Sequence, residues 1–205
     1  MFTDISLSRD LNEDFRQSQT DLSVEFSVLV LATGSWPLHT ASTRFEPPAD
    51  LIQCRNLFQE FYSKKHTGRK LNWLYQHSKN EIKANTFHRI YTLQCSTYQA
   101  AVLALFNDAS TLTMEQLQEA TQLSEPVLCN TLMTLVKTRI LNSKPSIIVK
   151  LEDDDGKAKA SLKEPTKETL FGINKQFKKY SSSSLSLSLS LSRSLARMNA
   201  CNDRV

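Results

Sequence analysis

Phe61-Tyr62-Ser63-Lys64-Lys65-His66-Thr67-Gly68-Arg69-Lys70-Leu71-Asn72-Trp73 is the point at which the chain changes period. Upstream, Leu51, Cys54, Phe58, Phe61 and Tyr62 recur at the spacing of one helix face, behind a start signalled by Pro47-Pro48 and Asp50. Lys64 and Lys65 place cations at the negative end of that helix, and Gly68 follows where the chain leaves it. Downstream, Leu71, Trp73 and Tyr75 alternate with Asn72 and Leu74, the period of a strand. A helix passing into a strand across so short a link points to an α+β fold.

On the N-terminal side, residues 24–32 read as another strand. Val24, Phe26, Val28, Val30 and Ala32 alternate with Glu25 and Ser27, and Leu29 and Leu31 make the far end apolar on both faces. That suits a strand inside a sheet rather than at its edge. Gly34-Ser35-Trp36-Pro37 breaks it. Earlier still, Ser8 is placed to cap a short helix with Leu11 and Phe15 on one face. On the C-terminal side, Ser78-Lys79-Asn80 is turn-like, Ile82, Ala84 and Thr86 alternate, and residues 90–95 carry Tyr91 and Leu93 on one side. The expectation is a three-strand meander with polar turns.

After Ser96 the period returns to that of helices. Tyr98, Ala101, Val102, Leu105 and Phe106 mark one. Thr113 and Gln116 form a capping box for a second, which buries Leu117 and Ala120. Ser124 caps a third, with Pro126 in its first turn and Leu128, Leu132, Leu135 and Val136 as its stripe. A short strand at residues 147–149 completes a winged-helix outline. The third helix carries Lys137 against Glu125, and a recognition helix needs basic side chains for phosphates. Nucleic acid is therefore disfavoured, and the winged helix reads as a protein-packing element.

The expected organisation is a helical segment (1–20), a sheet domain (21–96), a winged-helix domain (97–150), a charged linker with one more strand around Leu170, Phe171, Ile173 and Phe177 (151–180), and a Ser/Leu tail (181–205). The tail begins Ser181-Ser182-Ser183-Ser184 and alternates Ser and Leu to Leu191. Low-complexity serine repeats lack the large side chains that offset chain entropy, so the tail is expected to be disordered. A TC dinucleotide repeat in DNA reads as Ser-Leu in one frame, which makes translated non-coding sequence a hypothesis for its origin.

Hydrophobic residues make up 40% and charged residues 22% of the 205, a globular balance. A net charge of +4 is too weak to imply nucleic acid or membrane binding by itself. Cys54, Cys95, Cys129 and Cys201 are scattered and read as reduced thiols of a cytoplasmic or nuclear protein. The N-terminus shows no signal-peptide pattern, and the apolar run at residues 28–32 is far too short to cross a bilayer. No Gly-x-Ser-x-Gly elbow, P-loop or His-Glu-x-x-His is present, and His66, His77 and His88 match no zinc spacing. The reading is a non-catalytic chain without metal or cofactor.

Four stretches resemble the cullin family: Met1-Phe2-Thr3-Asp4-Ile5-Ser6-Leu7-Ser8-Arg9-Asp10-Leu11-Asn12; Gly34-Ser35-Trp36-Pro37; Phe61-Tyr62 followed by His66-Thr67-Gly68-Arg69-Lys70-Leu71-Asn72-Trp73; and Tyr91-Thr92-Leu93 running to Thr97-Tyr98-Gln99, with Phe106-Asn107 after it. The third is the most specific, and the likeness, which covers residues 1–142, is greatest to the cullin of SCF-type ubiquitin ligases. The resemblance implies a C-terminal-half fragment: the end of a helix bundle, a small cullin-type α/β sheet domain and a winged helix. It implies a scaffold whose sheet accepts the N-terminal strand of a RING-box protein by β-augmentation, the RING domain then holding a ubiquitin-conjugating enzyme, in ubiquitin-dependent protein degradation. Adaptor binding and ubiquitin-like modification are not expected, because the regions that carry them in the family are missing. Beyond Phe177-Lys178-Lys179 the serine tail stands where the family has a basic strand, so the sheet is expected to be one strand short, completed by another polypeptide.

Within that frame Val24, Phe26, Val28 and Val30 are core residues and also the sheet surface bordering the partner strand. Trp36 is divided between core packing and partner contact, and Trp73 is expected in the core with its N–H on a carbonyl. Arg69 and Lys70 are either a solvated pair or a specificity element, with Arg69 meeting a carboxylate through its planar fork. The competing readings are a winged-helix nucleic-acid-binding protein and a non-functional truncated gene product.

Overall fold

The computed structural model describes residues 2–18, 22, 24–33, 36, 44–87, 90–144, 148–152, 158–177, 188–189 and 195–204. In chain order come α1 (Phe2–Ser18), β1 (Glu25–Ala32), α2 (Ala49–Lys65), β2 (Arg69–Trp73), a 3-10 turn (Tyr75–His77), β3 (Lys79–Ala84) and β4 (Tyr91–Ser96). There follow α3 (Thr97–Leu105), β5 (Thr111–Thr113), α4 (Met114–Thr121), α5 (Glu125–Lys137) and β6 (Leu141–Lys144). The last elements are β7 (Ile148–Glu152), β8 (Ala158–Leu162), β9 (Leu170–Ile173), β10 (Ser188–Leu189) and β11 (Leu195–Arg204). They form two compact units, one of Met1–Ser42, Pro47–Ala100 and Ser183–Val205, the other of Thr43–Glu46 and Ala101–Ser182.

The first unit is built on an aromatic core. Leu11 and Phe15 of α1, Val24, Phe26 and Val28 at β1, Leu51, Cys54, Phe58 and Tyr62 of α2, and Leu71 of β2 are buried together. Phe15 meets Phe58 edge-on at 5.1 Å, and Phe26 meets Phe58 at 6.1 Å. Each such pair adds about 1 kcal/mol to the ~2–3 kcal/mol that burial of each ring supplies. The α2–β2 junction forms as its sequence reads. The His66 N–H returns to the Tyr62 carbonyl at 2.8 Å, and Gly68 takes φ +78° to turn the chain into β2.

The sheet of this unit differs from a simple meander. β3 and β4 form an antiparallel hairpin from Lys79↔Ser96 to Ala84↔Tyr91. β2 does not join them. Instead β2 and β3 both run antiparallel to β11, β2 against residues 200–204 and β3 against residues 195–197. The 3-10 turn between β2 and β3, closed by His77 N–H to the Leu74 carbonyl, keeps them from folding back on each other. β1 runs parallel to β11 over its whole length, from Glu25↔Leu195 to Ala32↔Asn202, and β10 pairs with Lys83 and Ala84 of β3.

Two expectations about the C-terminal third therefore change. Disorder over 181–205 does not hold at Ser188–Leu189 or Leu195–Arg204, which are strands. The serine run at 181–184 and the end of the Ser/Leu repeat at Leu191 lie outside the described residues. β11 lies beyond the repeat, and main-chain pairing holds it on both edges. The charged linker is also partly ordered: β7 and β8 form an antiparallel hairpin, Ile148↔Leu162 to Glu152↔Ala158.

The second unit packs α4 and α5, with Leu117, Leu128, Leu132, Leu135 and Val136 buried, beside a three-stranded sheet in the order β5-β9-β6. Thr113 caps α4 as the sequence predicts: its Oγ1 accepts from Gln116 N at 3.2 Å, and Gln116 Oε1 accepts from Thr113 N at 2.9 Å. Ser124 holds the N-cap position of α5 without a side-chain cap bond. The strand expected around Leu170 and Phe171 is the central one, with Phe171 fully buried.

Candidate partner-strand interface

β1 is the strand on which the site rests, and its two edges are closed differently. Along one edge α1 presents Asp4, Ser8 and Asn12, one helical turn apart. Asn12 Oδ1 accepts from Val28 N at 2.7 Å while Asn12 Nδ2 donates to Val28 O at 2.7 Å. Ser8 Oγ accepts from Val30 N at 2.9 Å, and its single hydroxyl proton faces both the Asp4 carbonyl at 2.6 Å and the Val30 carbonyl at 3.1 Å. Asp4 Oδ2 accepts from Ala32 N at 3.3 Å and from Trp36 Nε1 at 2.9 Å. Three side chains thus imitate a neighbouring strand and seal this edge against further pairing.

Ser8 is therefore not the cap of a short helix. It sits in mid-helix, buried, because α1 starts earlier and turns a polar stripe onto β1. The stripe was missed in the sequence. Its signal is the placement of Ser8 and Asn12 on the same face as Leu11 and Phe15, polar residues where an apolar stripe should run.

Since alternate residues of a strand direct their N–H and C=O to opposite sides, the groups of Ser27, Leu29 and Leu31 point to the other edge. There the neighbour is β11, with Ala196, Met198 and Ala200 in register with Phe26, Val28 and Val30. The strand expected from another polypeptide is, in this structure, supplied by the chain itself. An unpaired edge of this length demands a partner, and the C-terminal segment meets that demand.

The residues singled out from sequence fall into two groups. Val24, Phe26 and Val28 are buried in the aromatic core and Val30 packs against it, so β1 offers a neighbour its backbone. Trp36 is half-buried, with its indole N–H on Asp4. Gly34, Ser35 and Pro37 lie outside the described residues. Trp73 packs edge-on against Phe58 at 6.2 Å and donates to the side-chain carbonyl of Gln59 at 3.3 Å. Arg69 and Lys70 are exposed at the start of β2, in register with Arg204 and Asp203. Among the described residues no carboxylate pairs with Arg69, and the ion pair nearby joins Lys65 to Asp14. Arg69 has left the helix by the turn at Gly68, whereas Lys65 stays in the last turn of α2, within reach of α1.

The remaining chemistry is sparse. A cleft of about 860 Å³ between α1, β1 and the end of α2 is lined by Asp4, Asp10, Lys65, His66 and Arg69 among others, a mixture of charges without a nucleophile–base pair. Burial, with Arg69 and Lys65 nearby, lowers the His66 pKa. Burial pushes the Cys95 thiol up to about 12, and burial with Asp50 pushes Cys54 up to about 11, which leaves both thiols protonated and inert. Among the described residues no three His, Cys, Asp or Glu side chains could hold a metal, and His88 lies outside them. Among those residues, too, no helix is long and apolar enough to cross a membrane.

Comparison with known proteins agrees with this architecture. The sequence profile of the cullin alpha+beta domain matches residues 30–177. Cullin-1 of Dictyostelium discoideum is 48% identical over 186 residues, covering 87% of this chain and 22% of the relative. Cullin-1 of Schizosaccharomyces pombe is 40% identical over 146 residues (69% and 19%), and Cullin-1 of Caenorhabditis elegans 35% over 147 (70% and 19%). The chain thus spans about a fifth of the length of these relatives. With the domain profile matching from β1 to the residues after β9, and the helix–glycine–strand junction formed as that likeness requires, the chain belongs to the cullin family.

Proposed function

We propose that the chain is a non-catalytic scaffold fragment of a cullin-RING ubiquitin ligase, serving ubiquitin-dependent protein degradation. Its task is to hold a RING-box protein by adding that partner's extended segment beside β1. The RING-box protein in turn holds a ubiquitin-conjugating enzyme, which brings the reactive chemistry. The observation that carries this reading is the asymmetry of β1: the α1 edge is closed by side chains, so the edge of Ser27, Leu29 and Leu31, occupied in this structure by β11, is the one at which a partner strand would add. β-augmentation of this kind draws attraction from backbone hydrogen bonds and selectivity from alternate side-chain positions. Val24, Phe26, Val28 and Val30 fix the strand, and Trp36, Arg69 and Lys70 lie towards one end of it, beyond Ala32.

The second unit, with three helices and a small sheet, is proposed to be a winged helix used for protein packing. The exposed positions of α5 include Glu125, Asn130, Thr134 and Lys137, nearly neutral where a phosphate-binding face is basic. Buried, protonated Cys54 and Cys95 suit a reducing compartment, the cytoplasm and nucleus.

Co-expression of the full chain with a RING-box protein tests the proposal. A complex that co-purifies, with a gain in soluble yield, is expected. No complex and no gain in solubility would overturn it. A gel shift with steep salt dependence would instead favour the nucleic-acid reading.

A further inference from the structure

We propose that the slot between β1 and the β2–β3 line is an exchange site: the chain's own C-terminal strand fills it in cis, and an extended partner segment enters by displacing that strand. The inference deepens the proposed function and rests on it for the identity of the natural partner, though not for the exchange itself. Three observations support it. Among the described residues, β1 and β2 each pair with β11 and with no other strand, so the sheet of the first unit is continuous only through β11. The opposite edge of β1 is sealed by Asn12, Ser8 and Asp4, so β11 and an incoming strand compete for one edge. Finally, β11 is a weak strand by composition: Leu-Ala-Arg-Met-Asn-Ala-Cys-Asn-Asp-Arg sets alanine, methionine and alanine in register with Phe26, Val28 and Val30. Alanine, asparagine and aspartate are poor strand formers.

The chemistry of the competitor follows. It is an extended peptide of about ten residues, running parallel to β1, with β-branched side chains at the three positions in register with Phe26, Val28 and Val30. Such a segment holds the slot better per residue than β11. The tether compensates, because a linked strand acts at an effective concentration on the order of millimolar. The cis strand therefore excludes weak or non-specific strands and yields to a well-matched one.

The test uses the full chain and a fluorescent ten-residue peptide with the sequence of residues 195–204 carrying Ala196→Val, Met198→Val and Ala200→Val. Met198→Pro/Asn199→Pro in the full chain removes ladder donors on both edges of β11 and should tighten peptide binding about tenfold or more. Ala196→Val/Ala200→Val strengthens the cis strand and should weaken peptide binding about tenfold. In the unaltered chain saturated with peptide, hydrogen exchange should show residues 195–204 losing protection while Ser27, Leu29 and Leu31 keep theirs. Equal peptide affinity for all three chains, no peptide binding, or unchanged protection of residues 195–204 would overturn the proposal. Should the proline variant fail to fold, the valine variant and the exchange measurement decide. A RING-box protein that binds all three chains equally would refute exchange and leave the partner reading intact. Peptide exchange without any RING-box binding would refute that partner and leave exchange intact.

Discussion

The two edges of β1 solve one problem by opposite means. On the α1 side, backbone groups of Val28, Val30 and Ala32 are satisfied by side chains from a helix close in sequence, Asn12 reaching Val28 and Ser8 reaching Val30. On the other side, backbone pairs with backbone, Glu25 with Leu195 and onward to Ala32 with Asn202. The side-chain edge is local, buried and specific to one helix. The main-chain edge is remote in sequence, and it rests on backbone hydrogen bonding, which is common to all sequences. One edge is thus closed by a helix near in sequence, the other by a remote strand of the same chain.

The sharpest way to break this division is at Asn12. Asn12→Leu keeps the volume and removes both bonds to Val28, leaving two buried backbone groups without partners. At ~1–3 kcal/mol for each orphaned group, the expected loss is about 3 kcal/mol in urea unfolding. A loss below about 1 kcal/mol would mean that α1 is not what seals this edge. Ser8→Ala tests the next rung. Val30 is only half-buried, so water can reach part of the vacated site, and the expected loss is ~1–2 kcal/mol. Neither substitution should alter hydrogen exchange at Ser27 or Leu29 as much as it does at Val28 and Val30.

The same division explains what the sequence disclosed. Local periodicity disclosed β1, α2, the Gly68 junction, the capping box at Thr113 and the β3–β4 hairpin, because each is written in neighbouring residues. The apolar far end of β1 pointed to a strand inside the sheet, but β1 is the terminal strand, and α1 covers its outer edge. The polar stripe of α1 was partly legible: Ser8 and Asn12 were visible, but a serine near the N-terminus also fits a cap, and only the position of β1 decides between the two. β11 was not legible. Its residues carry no strand pattern, and what orders them is pairing with β1, β2 and β3, whose edges cannot be seen in a one-dimensional pattern. For the same reason β2 read as part of a meander when it is held through β11.

Gly68 sharpens the comparison from the side of β2, since its turn sets the direction in which Arg69–Trp73 meets β11. Its φ of +78° is costly for any residue with a Cβ, yet an added Cβ would find no atom within 4 Å. The penalty of Gly68→Ala is thus backbone strain alone, ~1–2 kcal/mol, and Gly68→Asn should cost less because asparagine tolerates the left-handed region. Equal stability of glycine and alanine variants in chemical denaturation would show that the turn relaxes to another conformation.

The smallest effect lies at the end of the side-chain edge. Asp4 has its pKa lowered below the ordinary 3.8, first by the Trp36 indole N–H and then by the Ala32 N–H. A carboxyl depressed in the folded state stabilises the fold above its unfolded pKa, and that contribution is lost as pH falls through the folded value. The unaltered chain should therefore lose stability relative to Asp4→Asn as pH drops below about 3.8, and the two should run parallel from about pH 5 to about pH 7. Trp36→Phe removes the larger cause and should bring the Asp4 titration, followed by carboxyl NMR, back towards the ordinary value. If Trp36→Phe leaves that titration where it was, the indole is not the main donor to Asp4. The last rung would then rest on the Ala32 amide, as Val28 and Val30 mark the two below it.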